Sequence, residues 1–190
     1  MAATVYLSES NGAVEAVTDN ITNINLGGRD IPNLSANQYP IIIGGRTYAK
    51  WLRVKLSALG GSNQIANLKI YKSAGAYQGG GAEVIGTNVA TAANSRINTY
   101  AFANVGHGEV AVTVPYNGDG SDILGVVWAS AAFPTALPAS ENIFIGNAGG
   151  AALTIAGTYS KYFVMALATT NAVTAGALTQ KTFLLTFDET

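Results

Sequence analysis

A chain of 190 residues that is 48% hydrophobic can bury one substantial core, while its 11% of charged residues is less than half the roughly 25% usual in soluble domains. The formal net charge of −1 removes any bulk attraction to nucleic acid or anionic lipid, and the absence of cysteine removes disulfides, thiolate catalysis and Cys-based zinc sites. No apolar stretch approaches the roughly 18 residues of a membrane-crossing helix, and the opening Met1-Ala2-Ala3-Thr4-Val5 lacks the positive region of a secretory signal. The expectation is one unit over residues 1–190, made in the cytoplasm, with no membrane partner.

Along the chain the apolar period is two, not 3.6. Residues 4–9, 39–43, 50–56, 65–72, 82–85, 98–103, 108–114, 123–129, 142–145, 153–157, 159–169 and 181–188 alternate and are rich in Val, Ile, Thr and aromatics, which predicts strands. Turn chemistry separates them at 60–63, 79–81, 117–120 and 149–150. The alanine-rich stretch 87–96 has no apolar face and is expected to be a loop or a single turn. About ten short, evenly spaced strands without an internal repeat describe an all-β protein, a single β-sandwich of jelly-roll type.

Three segments carry the reading at residue level. Near the end, Phe183, Leu185 and Phe187 share one face against Thr182, Thr186 and Asp188, with Leu184 as the exception, so this strand is expected to be half-buried. Residues 159–169 are largely apolar on both faces, which fits a strand central in a sheet or one pressed against a neighbour, with 170–179 closing a long hairpin to the last strand. The third segment holds the most unusual charge distribution. From Asn33 to Gly81 there is no acidic residue, yet six of the ten basic ones fall there: Arg46, Lys50, Arg53, Lys55, Lys69 and Lys72. Alternation turns Leu52, Val54 and Leu56 inward and Trp51, Arg53 and Lys55 outward; after the turn at 60–63, Leu68 and Ile70 point inward and Lys69 and Tyr71 outward. Read as a hairpin, one face then carries Trp51, Arg53, Lys55, Lys69 and Tyr71, with Arg46 nearby. Interleaved basic and aromatic residues are used to bind single-stranded nucleic acid, but they also suit a solvated face with lysine stems over Trp51 or a contact neutralised by a neighbour's carboxylates. The subunit contact is the preferred reading, and nucleic acid is disfavoured.

Catalytic and metal chemistry find little support. The single histidine, His107, sits beside Glu109 in a glycine-rich turn with no nucleophile elbow elsewhere. Glu83, Glu109 and Glu141 show no spacing that favours a glycosidase pair. Neither Gly44-Gly45-Arg46 nor Gly79-Gly80-Gly81 continues as a phosphate loop. Residues 117–122 begin like a calcium loop, but position 6 is Asp122 and position 12 is Trp128. No cofactor, no metal and no enzymatic activity are expected.

The opening Tyr6-Leu7-Ser8-Glu9-Ser10-Asn11-Gly12-Ala13, the Asn-rich run 19–25, the strand Trp51-Leu52-Arg53 and Ile65-Ala66-Asn67-Leu68-Lys69-Ile70-Tyr71-Lys72-Ser73 together resemble structural proteins of tailed bacteriophage virions. The resemblance implies a non-enzymatic β-sandwich located in the virion. Its partners would be the major capsid protein or other virion proteins and copies of itself, most naturally as a capsid decoration or head accessory subunit. The alternatives are a tail structural subunit, or a carbohydrate-binding jelly-roll module whose platforms would be Trp51, Tyr71, Tyr77 and Trp128.

Overall fold

The computed structural model describes residues 2–11, 16–41, 43, 47, 50–75, 83–88, 134–145, 150–169, 172, 174–176 and 178–190. Among these, all regular structure is strand: β1 (Thr4–Asn11), β2 (Ala16–Thr18), β3 (Lys50–Ala58), β4 (Ile65–Ala74), β5 (Glu83–Asn88), β6 (Ala152–Leu153), β7 (Phe163–Thr169) and β8 (Thr182–Glu189). They form two antiparallel sheets, one of five strands in the order β2-β1-β3-β7-β5 and one of three in the order β6-β4-β8. Among the described residues no helix is long and apolar enough to cross a membrane. The expected strands at 98–103, 108–114 and 123–129, together with His107 and the turn at 117–122, lie outside the described residues.

One apolar cluster joins the two sheets. Leu52, Val54 and Leu56 of β3 and Phe163, Met165 and Leu167 of β7 meet Ile65, Leu68 and Ile70 of β4, with Phe183, Leu185 and Phe187 of β8 packed against them. The alternation read from β3 and β8 therefore holds, and β7 does run centrally, between β3 and β5. The three-residue step from Ile65 to Leu68 breaks the period of two. Its cause is a bulge: the β4–β8 register shifts between Ala66 and Lys69, where Asn67 takes φ 54°, a left-handed conformation that asparagine tolerates better than most residues. Asn67 Nδ2 also donates to Asp188 Oδ2 across the ladder at 2.8 Å.

Connectivity departs from the sequence expectation at two places. β3 and β4 are not a hairpin, because they lie in different sheets and their apolar faces oppose each other across the core. The intervening turn is held by the second sheet: the amides of Asn63 and Gln64 both donate to the Thr190 carbonyl, at 2.7 and 3.0 Å. Nor do β7 and β8 form a hairpin, since the segment between them passes from the larger sheet to the smaller. At that entry Gly75, with φ 85°, ends β4 so close to the incoming chain that a Cβ would lie 2.2 Å from the Gln180 carbonyl oxygen.

Several expected strands are shorter or replaced. Thr87 and Asn88 belong to β5 and not to a loop. Tyr39, Pro40 and Ile41 lie in a compact turn-rich segment, in which the Gln38 and Tyr39 amides donate to the Ser35 carbonyl; Pro40 cannot supply a ladder donor. Only Ala152 and Leu153 of 153–157 and its flank pair as strand, because the chain turns at once, with Thr158 N bonded to Ile155 O and Gly157 at φ 89°. Residues 142–145 are not a strand, although they occupy a strand's place beside β4. The Asn142 side chain accepts from Ile70 N and donates to Ile70 O, both at 2.8 Å, so one carboxamide reproduces a ladder pair. Asn142→Ala strands both backbone groups of the buried Ile70, and an unpaired buried group costs about 1 to 3 kcal/mol. Chemical denaturation of Asn142→Ala is expected to show a loss in that range, and Asn142→Asp should lose at least as much, because its carboxylate keeps the acceptor for Ile70 N but sets a second acceptor against the Ile70 carbonyl.

The same reasoning applies to β8. Phe187 is half-buried, so Phe187→Ala should fall at the lower end of the roughly 3 to 5 kcal/mol measured for phenylalanines in cores, readable as a lower midpoint in urea at unchanged slope.

Candidate functional site

The expected contact face is divided by the fold. Trp51, Arg53 and Lys55 lie on the outward side of β3 in the five-stranded sheet, Lys69 and Tyr71 on the outward side of β4 in the other sheet, and Arg46 is outside the described residues. The first three are engaged by the chain itself. Residues 157–160 run alongside β3, with Ser160 N bonded to Val54 O at 2.8 Å, Leu56 N to Thr158 O at 2.9 Å, and Lys55 bridging to Tyr159. Between Ser160 and Phe163 the segment slips by one residue, so that Tyr159 and Tyr162 both fall on the outward side while Phe163 enters the core. Such a slip inverts the parity of every residue beyond it.

The two tyrosines take up the charges and rings of β3. Trp51, 3% exposed, meets Tyr162 edge to face with ring centroids 5.8 Å apart. The Arg53 guanidinium lies 3.8 Å from the Tyr159 ring centre and 4.7 Å from that of Tyr162, a cation–π arrangement worth about 0.5 to 2 kcal/mol per contact. Lys55 forms an ion pair with Asp19, whose carboxylate also accepts from Ser8 Oγ at 2.7 Å and from the Tyr159 hydroxyl at 3.1 Å. A buried Trp51 offers no stacking platform to a sugar or a base. Tyr77 and Trp128 lie outside the described residues.

Asp19 is the electrostatic hub of this face. Burial pushes its carboxyl up, but hydrogen bonds from Lys55, Ser8 and Tyr159 and the Lys55 charge together outweigh that and hold it below the ordinary 3.8. Hydrogen bonding to Asp19 in turn raises the Lys55 amine above 10.5.

A second polar set went unnoticed in the sequence. On the inward face of the same two strands, Lys50 Nζ donates to Glu9 Oε1 and to the Ile31 carbonyl, both at 2.6 Å, and Asn11 Nδ2 donates to Glu9 Oε1 at 2.7 Å and to Asp30 Oδ1 at 2.9 Å. Lys50 and Glu9 are almost fully enclosed. Burial pushes the Glu9 carboxyl up, against the opposing pull of the Lys50 charge and of the hydrogen bonds from Lys50 and Asn11. The signal was present: Lys50 shares parity with Leu52 and Glu9 with Leu7, so alternation alone placed both inward.

The remaining candidates are accessible. Lys69 and Tyr71 are half-buried, Lys69 Nζ donating to the Ala139 carbonyl at 3.2 Å, and Tyr71 stands opposite Leu184 of β8. No group of three or more His, Asp or Glu side chains among the described residues is arranged to hold a metal ion. Comparison with protein-family models, with curated proteins and with solved structures returned no match.

Asp19→Asn removes the negative partner of Lys55. Because the Asp19 carboxyl is depressed in the fold, its contribution is fully present above pH 3.8 and disappears as pH falls through the lower folded value. The variant should melt a few degrees at most below wild type at pH 7, because the pair is partly exposed, and the gap should begin to narrow as pH falls below about 3.8; equal melting temperatures at pH 7 would show that the ion pair contributes nothing.

Proposed function

We propose that the protein is a non-enzymatic structural subunit of a bacteriophage virion, a single β-sandwich of jelly-roll type that decorates the capsid or acts as a head accessory, and that it docks through the outward face of the three-stranded sheet. The observation that carries this reading is Leu184, 43% exposed on β8 and directly opposite Tyr71 on β4, with Lys69 and Thr186 as the next pair on the same face. An exposed leucine beside an aromatic ring and a lysine is the composition of a small contact patch with a polar margin. The wider surface supports the same view, because only 11% of residues are charged and Leu137 and Ile155 are also largely exposed.

The division of the basic segment narrows the candidates for contact. Trp51, Arg53 and Lys55 serve the protein's own packing, which leaves Lys69 and Tyr71 as the outward-facing members of the set. Reversing charge at Arg53 would strip the tyrosine rings of their cation and damage the fold, so it cannot report on docking alone.

The discriminating variant is Leu184→Glu with Lys69→Glu. Surface changes of this kind leave stability within about 0.5 kcal/mol, so the double variant is expected to keep the wild-type melting temperature while losing incorporation into particles and self-association in light scattering. Normal incorporation would overturn the assignment of this face. In purified virions a copy number near that of the major capsid protein supports decoration, and a small one supports a tail subunit.

A further inference from the structure

Where the inward faces of β1 and β3 end, the side chains change in kind. Val5 and Leu7 lead to Glu9 and Asn11; Leu56, Val54 and Leu52 lead to Lys50. A carboxyl, a carboxamide and an amine thus sit together at exposures of 0%, 6% and 1%. The ladder pairs Glu9 with Leu52 and ends with Ser10 opposite Trp51, and Asn11 and Lys50 are the next residue on each strand. Opposed residues on such a ladder have Cβ atoms about 4.5 to 5.5 Å apart, a gap that a lysine and an asparagine side chain are together long enough to bridge.

One oxygen touches both nitrogens. Glu9 Oε1 accepts from Lys50 Nζ at 2.6 Å and from Asn11 Nδ2 at 2.7 Å. Asp30 Oδ1 accepts from the same Nδ2 at 2.9 Å, which fixes which end of the amide faces the carboxyls. Two atoms remain: Glu9 Oε2 and Asn11 Oδ1 are buried and have no hydrogen-bond partner. Both are acceptors while Glu9 is ionised. They become complementary once Glu9 carries a proton, and burial pushes its carboxyl toward that state.

We propose that Lys50 and Asn11 become joined by a side-chain amide bond, with Glu9 carrying the proton between the two nitrogens. In a site closed to water, transfer of a proton from the Lys50 ammonium to Glu9 leaves a neutral pair and relieves the cost of two buried charges. The free amine is then a nucleophile that shares a carboxyl oxygen with the amide it would attack, and desolvated lysines are reactive nucleophiles. Its lone pair attacks Asn11 Cγ, and the electrons displaced onto Oδ1 are met by the Glu9 proton. Glu9, now ionised, takes a proton from the new Nζ–Cγ link and passes it to Nδ2. As the tetrahedral centre collapses the Cγ–Nδ2 bond breaks, ammonia departs, and the Oδ1 proton returns to Glu9 as the carbonyl re-forms. One amide is exchanged for another, so the chain loses one ammonia and needs no oxidant, metal or cofactor. The product ties β1 to β3 and closes a loop of roughly 40 residues, a length at which a covalent link markedly restricts the unfolded chain.

Tandem mass spectrometry of a digest of the full wild-type chain, with its intact mass under denaturing conditions, tests this. The expected result is a mass lower than that of the sequence by one ammonia, and a branched peptide joining the stretches that contain Asn11 and Lys50. Asn11 precedes Gly12, and an Asn-Gly step can also lose ammonia by closing on its own backbone. The branched peptide is therefore the deciding readout, and a cyclic imide without it overturns the proposal. Lys50→Arg and Asn11→Ala are expected to abolish the branch, as is Glu9→Gln, which keeps the shape but cannot carry the proton. A linear wild-type digest, or a branch that persists in Glu9→Gln, overturns the proposal; the wild-type digest decides even where a variant fails to fold.

Discussion

Strand β3 is enclosed on both faces, and much of the described structure exists to make that tolerable. Its inward leucines and valine need only another apolar surface, which β4, β7 and β8 supply. Its outward side carries Arg53 and Lys55, charges that need partners where the chain covers them. Each therefore has an answer from a distant part of the chain: two tyrosine rings for the guanidinium, Asp19 for the amine. The parity slip between Ser160 and Phe163 is what lets one neighbouring segment serve both sides, delivering tyrosines outward and Phe163 inward. A regular strand would have put Tyr159 and Phe163 on the same face and left Arg53 without one of its rings.

The fold illustrates which parts of such a structure are written locally. Alternation placed Leu52, Val54 and Leu56, Leu68 and Ile70, and Phe183, Leu185 and Phe187 on the core side, because side-chain direction along a strand is a local property with a fixed period. Pairing is not local. Two strands separated by a short turn read as a hairpin, yet β3 and β4 separate because the turn between them is bonded to Thr190 and because β4 finds its ladder in β8. Asn142 is similarly invisible: an asparagine in an irregular stretch gives no sign that its carboxamide will complete a sheet.

The candidate site was legible only in part for the same reason. The concentration of basic residues is a property of the sequence, but whether a basic face looks toward solvent depends on what the rest of the chain lays over it. Tyr159, Tyr162 and Asp19 do so for β3, and none is near it in sequence. For Lys50 and Glu9 the situation is reversed. Their parity with the core was plain, but their charge argued for the surface, and in this case parity decides.

The ladder between β4 and β8 has a kinetic meaning. Asn67 and Asp188, bonded across it, are 121 positions apart, and Ala3 reaches Glu189 across 186. Contacts of such sequence separation form late, since the chain must lose most of its freedom before they return anything. Until β8 docks, the edge of β4 that it will cover stands open beside Ile70 and Leu68, an unpaired template next to apolar surface. The protein is thus most exposed to self-aggregation during assembly of its smaller sheet, and crowding many copies together while they fold is the condition under which that sheet is most easily built from the wrong chain.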